Sequence, residues 1–433
     1  MTLATEPPKD AFRLSMLIYD TRYRAITIQV IVLALFLAGV AWLTNNTDQN
    51  LAAKGKDINF GFLLNRAGYD IDQQLIPYTN DSTHGRALII GLLNTLIVAF
   101  FGCILATLIG AFAGVLRLSK NSLVGRLMTI YVEVFRNVPL LLWIVLAFVI
   151  FSETMPEPKD FKVTQEMIDT GTAPAAQKIF FDSIAVTARG TNIPMPMLTR
   201  PFGGFQVAGI NVSLSVLATL AVIAGSLWVN RRIRRYAKAV QEATGDRPTT
   251  WWKSLAVLIL PTAALLAAMG LHWDIPGFAT TETGVSKGFN LVGGLNVAHS
   301  FTALLIALSV YHGTYIAEAV RAGIMAISRG QSEAAFALGL RPGRTMSLII
   351  LPQALRVIIP PLISQYLNLT KNTTLGMAIS YLDLKGTLGG ITLNQTGREL
   401  ECMLLMMLIY LILSLTISAG MNVFNNAMKL KER

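Results

Sequence analysis

The chain has 433 residues, 53% of them apolar and only 14% charged, with a net charge of +11. Apolar runs of about 20 residues recur, the length that crosses a hydrocarbon core roughly 30 Å thick. This composition excludes an ordinary soluble domain and predicts an all-α, polytopic membrane protein. The basic excess, which in a soluble protein would suggest a nucleic-acid partner, falls in short loops between apolar runs and marks cytoplasmic segments instead.

Eight spans are predicted. The stretch 1–24 is too polar for a signal peptide, and the first apolar run, 25–44, is long enough to span as an uncleaved signal anchor. Span 2 covers 86–116, about 45 Å at 1.5 Å per residue, so it tilts or protrudes. Span 3 covers 127–151, span 4 210–230, span 5 252–273, span 6 296–320, span 7 351–369 and span 8 400–424. The segments 45–85 and 152–208 are long, polar and punctuated by Gly and Pro, with no readable element. Spans 4 and 5 form a hairpin within 152–295. It looks inserted between two blocks, 86–151 and 296–426, with residues 1–85 ahead of them and a basic tail, 427–433, behind.

Charge sets the orientation. Segments 1–24, 117–126, 231–250, 321–356 and 427–433 hold 21 of the 36 basic residues against 7 acidic ones. The alternate segments 45–85, 152–208, 275–295 and 370–399 hold 12 basic and 14 acidic residues. Positive-inside placement puts the first set, with both termini and the run Arg231, Arg232, Arg234 and Arg235, in the cytoplasm.

Cys103 and Cys402 lie inside predicted spans with no CxxC pattern and read as small apolar fillers. His299 and His312, both in span 6, have no neighbouring ligand residues; a metal needs several converging ligands. Packing or a hydrogen bond is expected of them, with no metal and no cofactor.

Charges within spans are costly and normally face a partner or a cavity. Glu133 and Arg136 lie three apart, as do Glu318 and Arg321, so each pair shares a helix face. One reading is a polar lining of a solute path, meeting the ammonium and carboxylate of a zwitterion; Asn94 and Tyr315 are further candidates for it. The other is structural pairing near the membrane interface, with the arginines snorkelling and Asn94 bonding across helices. Glu399 and Glu401 read as interfacial.

The stretch 331–353, QSEAAFALGLRPGRTMSLIILPQ, is oddly polar for its place between two spans. Gly330 is expected to break the helix leaving span 6. Ser332 is an acceptable N-cap, Glu333 suits the first turn, Ala334 and Ala335 propagate helix, and Gly339 suits a left-handed stop. Pro342 can start the next helix, which runs into span 7 with kinks expected at Pro352 and Pro360-Pro361. A short helix outside the membrane fits a groove on another protein; an ordinary cytoplasmic loop is the alternative on these grounds.

Glu333-Ala334-Ala335, Gly339, then Ile349-x-Leu351-Pro352 resembles the EAA motif of ABC importer permeases, with its spacing kept. Further stretches are similar to the polar amino-acid branch of that family. They are Gly91-x-x-Asn94-Thr95-Leu96, Tyr131-Val-Glu133-x-Phe135-Arg136-Asn137-x-Pro139-Leu140, Tyr315-x-Ala317-Glu318-x-x-Arg321-x-Gly323-Ile324 and Lys371-Asn372-Thr373-Thr374-Leu375. The resemblance covers 86–151 and 296–426, the five-span core of type I importer permeases. The enlarged plan resembles the eight-span permeases of broad-range L-amino-acid uptake systems. It departs at Tyr381-Leu-Asp383-Leu384, where relatives usually carry glutamate before leucine, so no family role passes to Asp383.

The resemblance implies a coupling helix, with Glu333, Ala334, Ala335, Gly339, Arg341, Leu351 and Pro352 as its residues, docking on a cytoplasmic ATPase dimer. It also implies a second permease, a periplasmic substrate-binding protein and an amino-acid substrate in the bacterial inner membrane. No G-x-x-x-x-G-K-[ST] phosphate loop occurs in the chain, so ATP hydrolysis is expected of another subunit. An ion-coupled secondary transporter is the alternative; it needs midplane charges and related halves, and no inverted repeat is visible.

Overall fold

The computed structural model describes residue 18 and residues 20–53, 57–207, 210–246 and 248–428. Expectations for the N-terminal 17 residues and for the tail beyond 428 lie outside the described residues. Among the described residues, seven helices are long and apolar enough to cross a membrane, and a bent pair, counted as one span, makes eight. They are α1 (Thr21–Ala53), α2 (His84–Leu116), the bent pair α3 (Ser122–Asn137) and α4 (Leu140–Glu153), then, after the short α5 (Gln165–Thr170), α6 (Leu214–Thr244), α7 (Trp251–Ala268) and α8 (His299–Met325). A short α9 (Arg329–Ala337) and α10 (Pro342–Thr345) precede α11 (Leu351–Asn372). After α12 (Leu393–Thr396), α13 (Glu399–Met428) is the last described element.

The centre is the close contact of α2 with α8. Both helices run in the same direction, and α2 presents Gly102, Ala106, Gly110 and Gly114 at four-residue intervals. Small residues at that spacing let backbones approach. A Cβ on Gly110 would lie 2.7 Å from the Gly313 carbonyl oxygen, and one on Gly114 would lie 2.6 Å from that of Ala317. Buried Val98, Ala106, Leu304, Leu308 and Ile316 fill the seam, and Ile144 of α4 with Ala354 and Ile358 of α11 complete the core.

Three predicted spans change shape. The first helix does not stop at residue 44 but runs to Ala53. Thr44, Thr47 and Asn50 return their side-chain donors to carbonyls four residues back, so polar residues are accommodated without leaving the helix. The third span is broken: α3 and α4 meet at 104°. Val138 is extended, with φ −97° and ψ 134°, because a residue before proline avoids the helical region; Pro139 supplies no N–H to continue α3. Phe135 stacks on Trp143 across the break, with ring centroids 4.2 Å apart. In the seventh span, Met346–Ile350 forms a π-helical turn just ahead of Pro352. Widening of this kind absorbs the hydrogen bond that a proline cannot donate. The α-helix then continues through Pro360 and Pro361 to Asn372.

Among the described residues nine short strands lie between residues 185 and 297, four of them within the unread segment 152–208. β1 (Ala185–Thr187), β2 (Gly190–Ile193) and β9 (Leu295–Val297) form one sheet, and β3 (Met195–Leu198) pairs β6 (Leu271–Asp274). β4 (Gly204–Val207) pairs β5 (Ile210–Ser213), and β7 (Gly277–Thr280) pairs β8 (Ser286–Val292). These strands shorten predicted spans 4, 5 and 6 at their outer ends. The β2–β9 and β3–β6 pairs join chain before the α6–α7 hairpin to chain after it, so the inserted segment closes on itself at this side of the bundle. His299, at the start of α8, brings Nε2 to 2.5 Å from the Thr187 carbonyl oxygen and stacks on Phe151.

The predicted loop 370–399 is folded structure. Thr373–Ile379 is a tight 3-10 helix, Ser380 is left-handed with φ 60°, and Lys385–Thr392 is π-helical. Leu384, Leu388 and Cys402 are buried together beside Phe62. Glu401 is buried rather than interfacial, accepting from Arg398 Nη1 at 3.1 Å and from the Asn59 N–H at 3.3 Å.

Candidate coupling surface and translocation path

The helix expected to be capped by Ser332 begins four residues earlier. Ser328 is the extended N-cap of α9, and Gly330 lies inside the helix rather than breaking it. Gly339 does stop it, with φ +75°. The Gly339 N–H donates to Phe336 O at 2.9 Å and the Leu340 N–H to Ala335 O at 3.1 Å, the paired bonds of a Schellman motif. Arg341 then caps α10, which opens on Pro342. Only Ala335 of α9 is buried, at 1% exposure. Glu333, Ala334, Gly339 and Arg341 are exposed, and so are two residues that sequence reasoning passed over, Phe336 and Leu338, the latter 81% exposed. Large apolar side chains left in solvent beside a fixed turn form a surface suited to a partner's groove. Gln353 Nε2 reaches Gln331 Oε1 at 3.4 Å, tying α9 to the start of α11, where Leu351 and Pro352 follow the π turn.

The intramembrane candidates separate. Glu318 and Arg321 pair as expected, at 2.5 Å, and Arg117 Nη1 joins the same carboxylate at 2.5 Å. Glu133 and Arg136 do not pair. Glu133 is exposed and is approached by Asn137 Nδ2 at 3.5 Å, while the Arg136 guanidinium lies over the Tyr315 ring, 4.8 Å from its centroid. Arg136 reaches across to α8 through the Tyr315 ring, while Glu133 stays on the exposed side of α3. An arginine over an aromatic face keeps its charge without a carboxylate.

Around Arg136 the structure assembles a polar cluster. The Tyr315 and Tyr311 hydroxyls are 3.1 Å apart. His312 is held at both nitrogens: Nδ1 lies 3.0 Å from Gln365 Oε1, and Nε2 lies 3.1 Å from Asn372 Nδ2. The carbonyl oxygen of Gln365 requires a donor and the amide of Asn372 requires an acceptor, which defines a neutral ring protonated on Nδ1. Both partners come from α11, so the histidine joins α8 to the helix that carries α9 at its other end. Tyr366 of α11 also meets Thr107 of α2, with the hydroxyls 2.7 Å apart.

Asn94 is buried, and its Nδ2 donates to the carbonyls of Gln73 and Leu382, each at 2.9 Å. It lies in the wall of a cavity of about 560 Å³, with Gln73, Gln74, Asn296, Phe301 and Tyr381. Next to it, Asp383 is fully buried. Its Oδ1 accepts from the Gly386 N–H at 2.9 Å, and its Oδ2 from Thr373 Oγ1 at 3.1 Å and Tyr410 OH at 3.3 Å. Along α8, the cavity residue Phe301, the cluster residues Tyr311, His312 and Tyr315, and the ion-paired Glu318 and Arg321 follow one another over about 30 Å. Among the described residues, no group of three or more His, Cys, Asp and Glu side chains is placed to hold a metal ion.

A helical bundle threaded by polar side chains, with a short helix and an apolar-tipped turn offered outside it, defines a membrane transport protein. The chain belongs to the family described as binding-protein-dependent transport system inner membrane component, whose profile matches residues 106–430. It is 63% identical over the whole of both chains to a glutamate/glutamine/aspartate/asparagine transport system permease protein of Rhodobacter capsulatus. It is 39% identical to a general L-amino acid transport system permease protein of Rhizobium johnstonii, over 98% of this chain and 96% of the relative. A glutamate/aspartate import permease protein of Escherichia coli O6:H1 is 30% identical over 49% of this chain and 89% of its own length.

Proposed function

We propose that this chain is the permease subunit of an ABC importer for polar L-amino acids, and that glutamate, glutamine, aspartate and asparagine are its substrates. Full-length identity of 63% to a permease of that named specificity carries the reading. Its basic side, with both termini and α9, faces the cytoplasm, as the charge distribution supports. A cytoplasmic ATPase dimer, a second permease and a periplasmic binding protein complete the transporter. Residues 86–151 and 296–426 are the permease core, and the strands and hairpin of 152–295 are an addition; a relative covering 49% of this chain aligns over 89% of itself.

Work enters at α9. Glu333, Ala334, Phe336, Leu338, Gly339 and Arg341 sit in a cleft of the ATPase, which moves them when ATP closes the dimer. The π turn, Leu351 and Pro352 pass that displacement to α11, and α11 passes it to His312 of α8 and Thr107 of α2. Substrate descends past Asn94 to the cluster, where Arg136 meets its carboxylate, and leaves by Glu318 and Arg321. The two states are an equilibrium that the ATPase biases.

Reconstitution tests this reading. Proteoliposomes holding the chain, its second permease and its ATPase should take up L-glutamate only with internal ATP and the binding protein outside. Uptake that follows an ion gradient without the ATPase would overturn it.

A further inference from the structure

We infer that the basic turn of α6 is a binding site for the headgroup of an anionic phospholipid in the leaflet that borders it. The apolar part of α6 ends at Val229, yet the helix continues to Thr244, so its last turns stand beyond the hydrocarbon. Arg231, Arg232, Arg234 and Arg235 occupy the junction, and all four are exposed. Among the described residues none of the four has a carboxylate partner: the acid on this stretch, Glu242, pairs with Lys238.

Their depth is fixed by aromatic neighbours. Trp228 is 56% exposed and Tyr236 is 70% exposed, one on each side of the arginines. Trp251 and Trp252 open α7 in the same exposed state. Exposed tryptophan and tyrosine at a helix end mark headgroup level. Arg232 lies over the Trp228 ring, 4.3 Å from its centroid, which holds one guanidinium at that depth. Ser226, Asn230 and Ala237 are the buried residues of this part of α6, and the helical period places them on one stripe. The arginines therefore fan over the remaining arc.

The hairpin packs chiefly within itself and against the strands at its far end, which leaves the exposed arginines open to the bilayer. Four adjacent cations repel one another; a phosphodiester removes that cost, and guanidinium matches it in bidentate geometry. Positive-inside placement explains why basic residues lie on this side, but not a cluster locked at headgroup depth by a tryptophan. The inference does not depend on which side of the membrane this is.

The test uses the full-length purified chain with phosphatidylglycerol and phosphatidylcholine of identical acyl chains, read as lipids retained in native mass spectrometry. Wild type should retain phosphatidylglycerol preferentially, and added salt should weaken the preference. Each arginine near an anionic surface is worth about a fivefold gain in partition, so Arg234→Gln with Arg235→Gln should reduce the preference at least tenfold or so. Because fewer charges can disturb insertion, Arg234→Lys with Arg235→Lys is run beside it and should keep most of the preference and its salt dependence. Equal retention of the two lipids by wild type, a preference unchanged in the glutamine variant, or a salt-insensitive preference in the lysine variant each overturns the site.

Discussion

Arg117, the residue just past the end of α2, donates from Nη1 to Glu318 of α8 at 2.5 Å, so one carboxylate closes the basic end of the α2–α8 seam. Arg321 reaches the same carboxylate from three residues along its own helix. The two arginines are unequal in what they join. Same-helix pairs contribute about 0.2–0.5 kcal/mol, whereas a charge-assisted bond between elements is worth about 1.5–3 kcal/mol. The Arg117 side chain is only 10% exposed, so solvent does little to screen it. Arg117→Ala is expected to lower the melting temperature of the purified chain clearly more than Arg321→Ala does. A double-mutant cycle with Glu318→Gln should assign most of the coupling to Arg117. Equal losses from the two alanine variants would overturn the claim that the bond between helices outweighs the one within α8.

Gly339 separates the stability of the coupling helix from its use. Its φ of +75° is left-handed, yet a Cβ built there meets nothing within 4 Å. Gly339→Asp therefore brings no clash and costs about 1–2 kcal/mol of backbone strain, while placing a charge beside Phe336 and Leu338. The variant should insert and melt close to wild type and yet lose ATP-driven uptake and ATPase co-purification. Phe336→Ala with Leu338→Ala removes the exposed apolar surface without strain and should reduce co-purification in the same way. If both variants keep the ATPase and transport normally, α9 is not the coupling surface.

How much of this was legible depended on how local the cause was. The left-handed stop at Gly339 and the helix start at Pro342 follow from properties of single residues, and both stand. The α9 start moved to Ser328 because Gly330, followed by strong helix formers, tolerates helix. Pro139 breaks the third span by a local rule, but the 104° turn and the stacking of Phe135 on Trp143 across it depend on tertiary contacts that sequence order does not reveal. Glu133 and Arg136 have a spacing that favours a pair, but the Tyr315 ring of α8 takes the guanidinium instead. Arg117 meeting Glu318 requires that α2 and α8 run side by side in one direction. The four-residue spacing of Ala106, Gly110 and Gly114 is the sequence signal for that approach. Asp383 stands in the sequence only as a departure from the glutamate usual before leucine; Thr373 and Tyr410 reach it once the predicted loop 370–399 is folded into the bundle.

Arg136 and Tyr315 make a contact whose parts can be exchanged separately. The guanidinium uses the face of the ring, and the hydroxyl is engaged with Tyr311 instead. Tyr315→Phe keeps the face and should leave transport within about threefold of wild type, since partly exposed cation–π contacts carry about 0.5–2 kcal/mol. Tyr315→Leu removes the face and should free Arg136 from its position. Arg136→Gln abolishes the charge proposed to meet the substrate carboxylate. In reconstituted uptake, Arg136→Gln should lower the maximal rate for L-glutamate far more than Tyr315→Phe. Indistinguishable rates for Arg136→Gln and wild type would remove Arg136 from the path.

Asp383 tests whether its burial is held by hydrogen bonds or by charge. Its two oxygens accept three bonds, from the Gly386 N–H, Thr373 and Tyr410. An asparagine can reproduce the pattern: its carbonyl oxygen takes the Gly386 N–H, and its amide donates to the two hydroxyls, which rotate to accept. Thr373 Oγ1 already has a second acceptor in the Thr370 carbonyl at 3.1 Å, so its proton has somewhere to go. Asp383→Asn should therefore cost about 1 kcal/mol or less. Asp383→Ala leaves the Gly386 N–H and the Tyr410 hydroxyl without their acceptor at about 1–3 kcal/mol each, enough to unsettle the π-helical Lys385–Thr392 segment and with it the wall that Asn94 bonds through Leu382. Thermal unfolding of the purified chain should rank wild type and Asp383→Asn together, well above Asp383→Ala. If asparagine is as damaging as alanine, the negative charge itself, and not the bonding pattern, is what this position supplies.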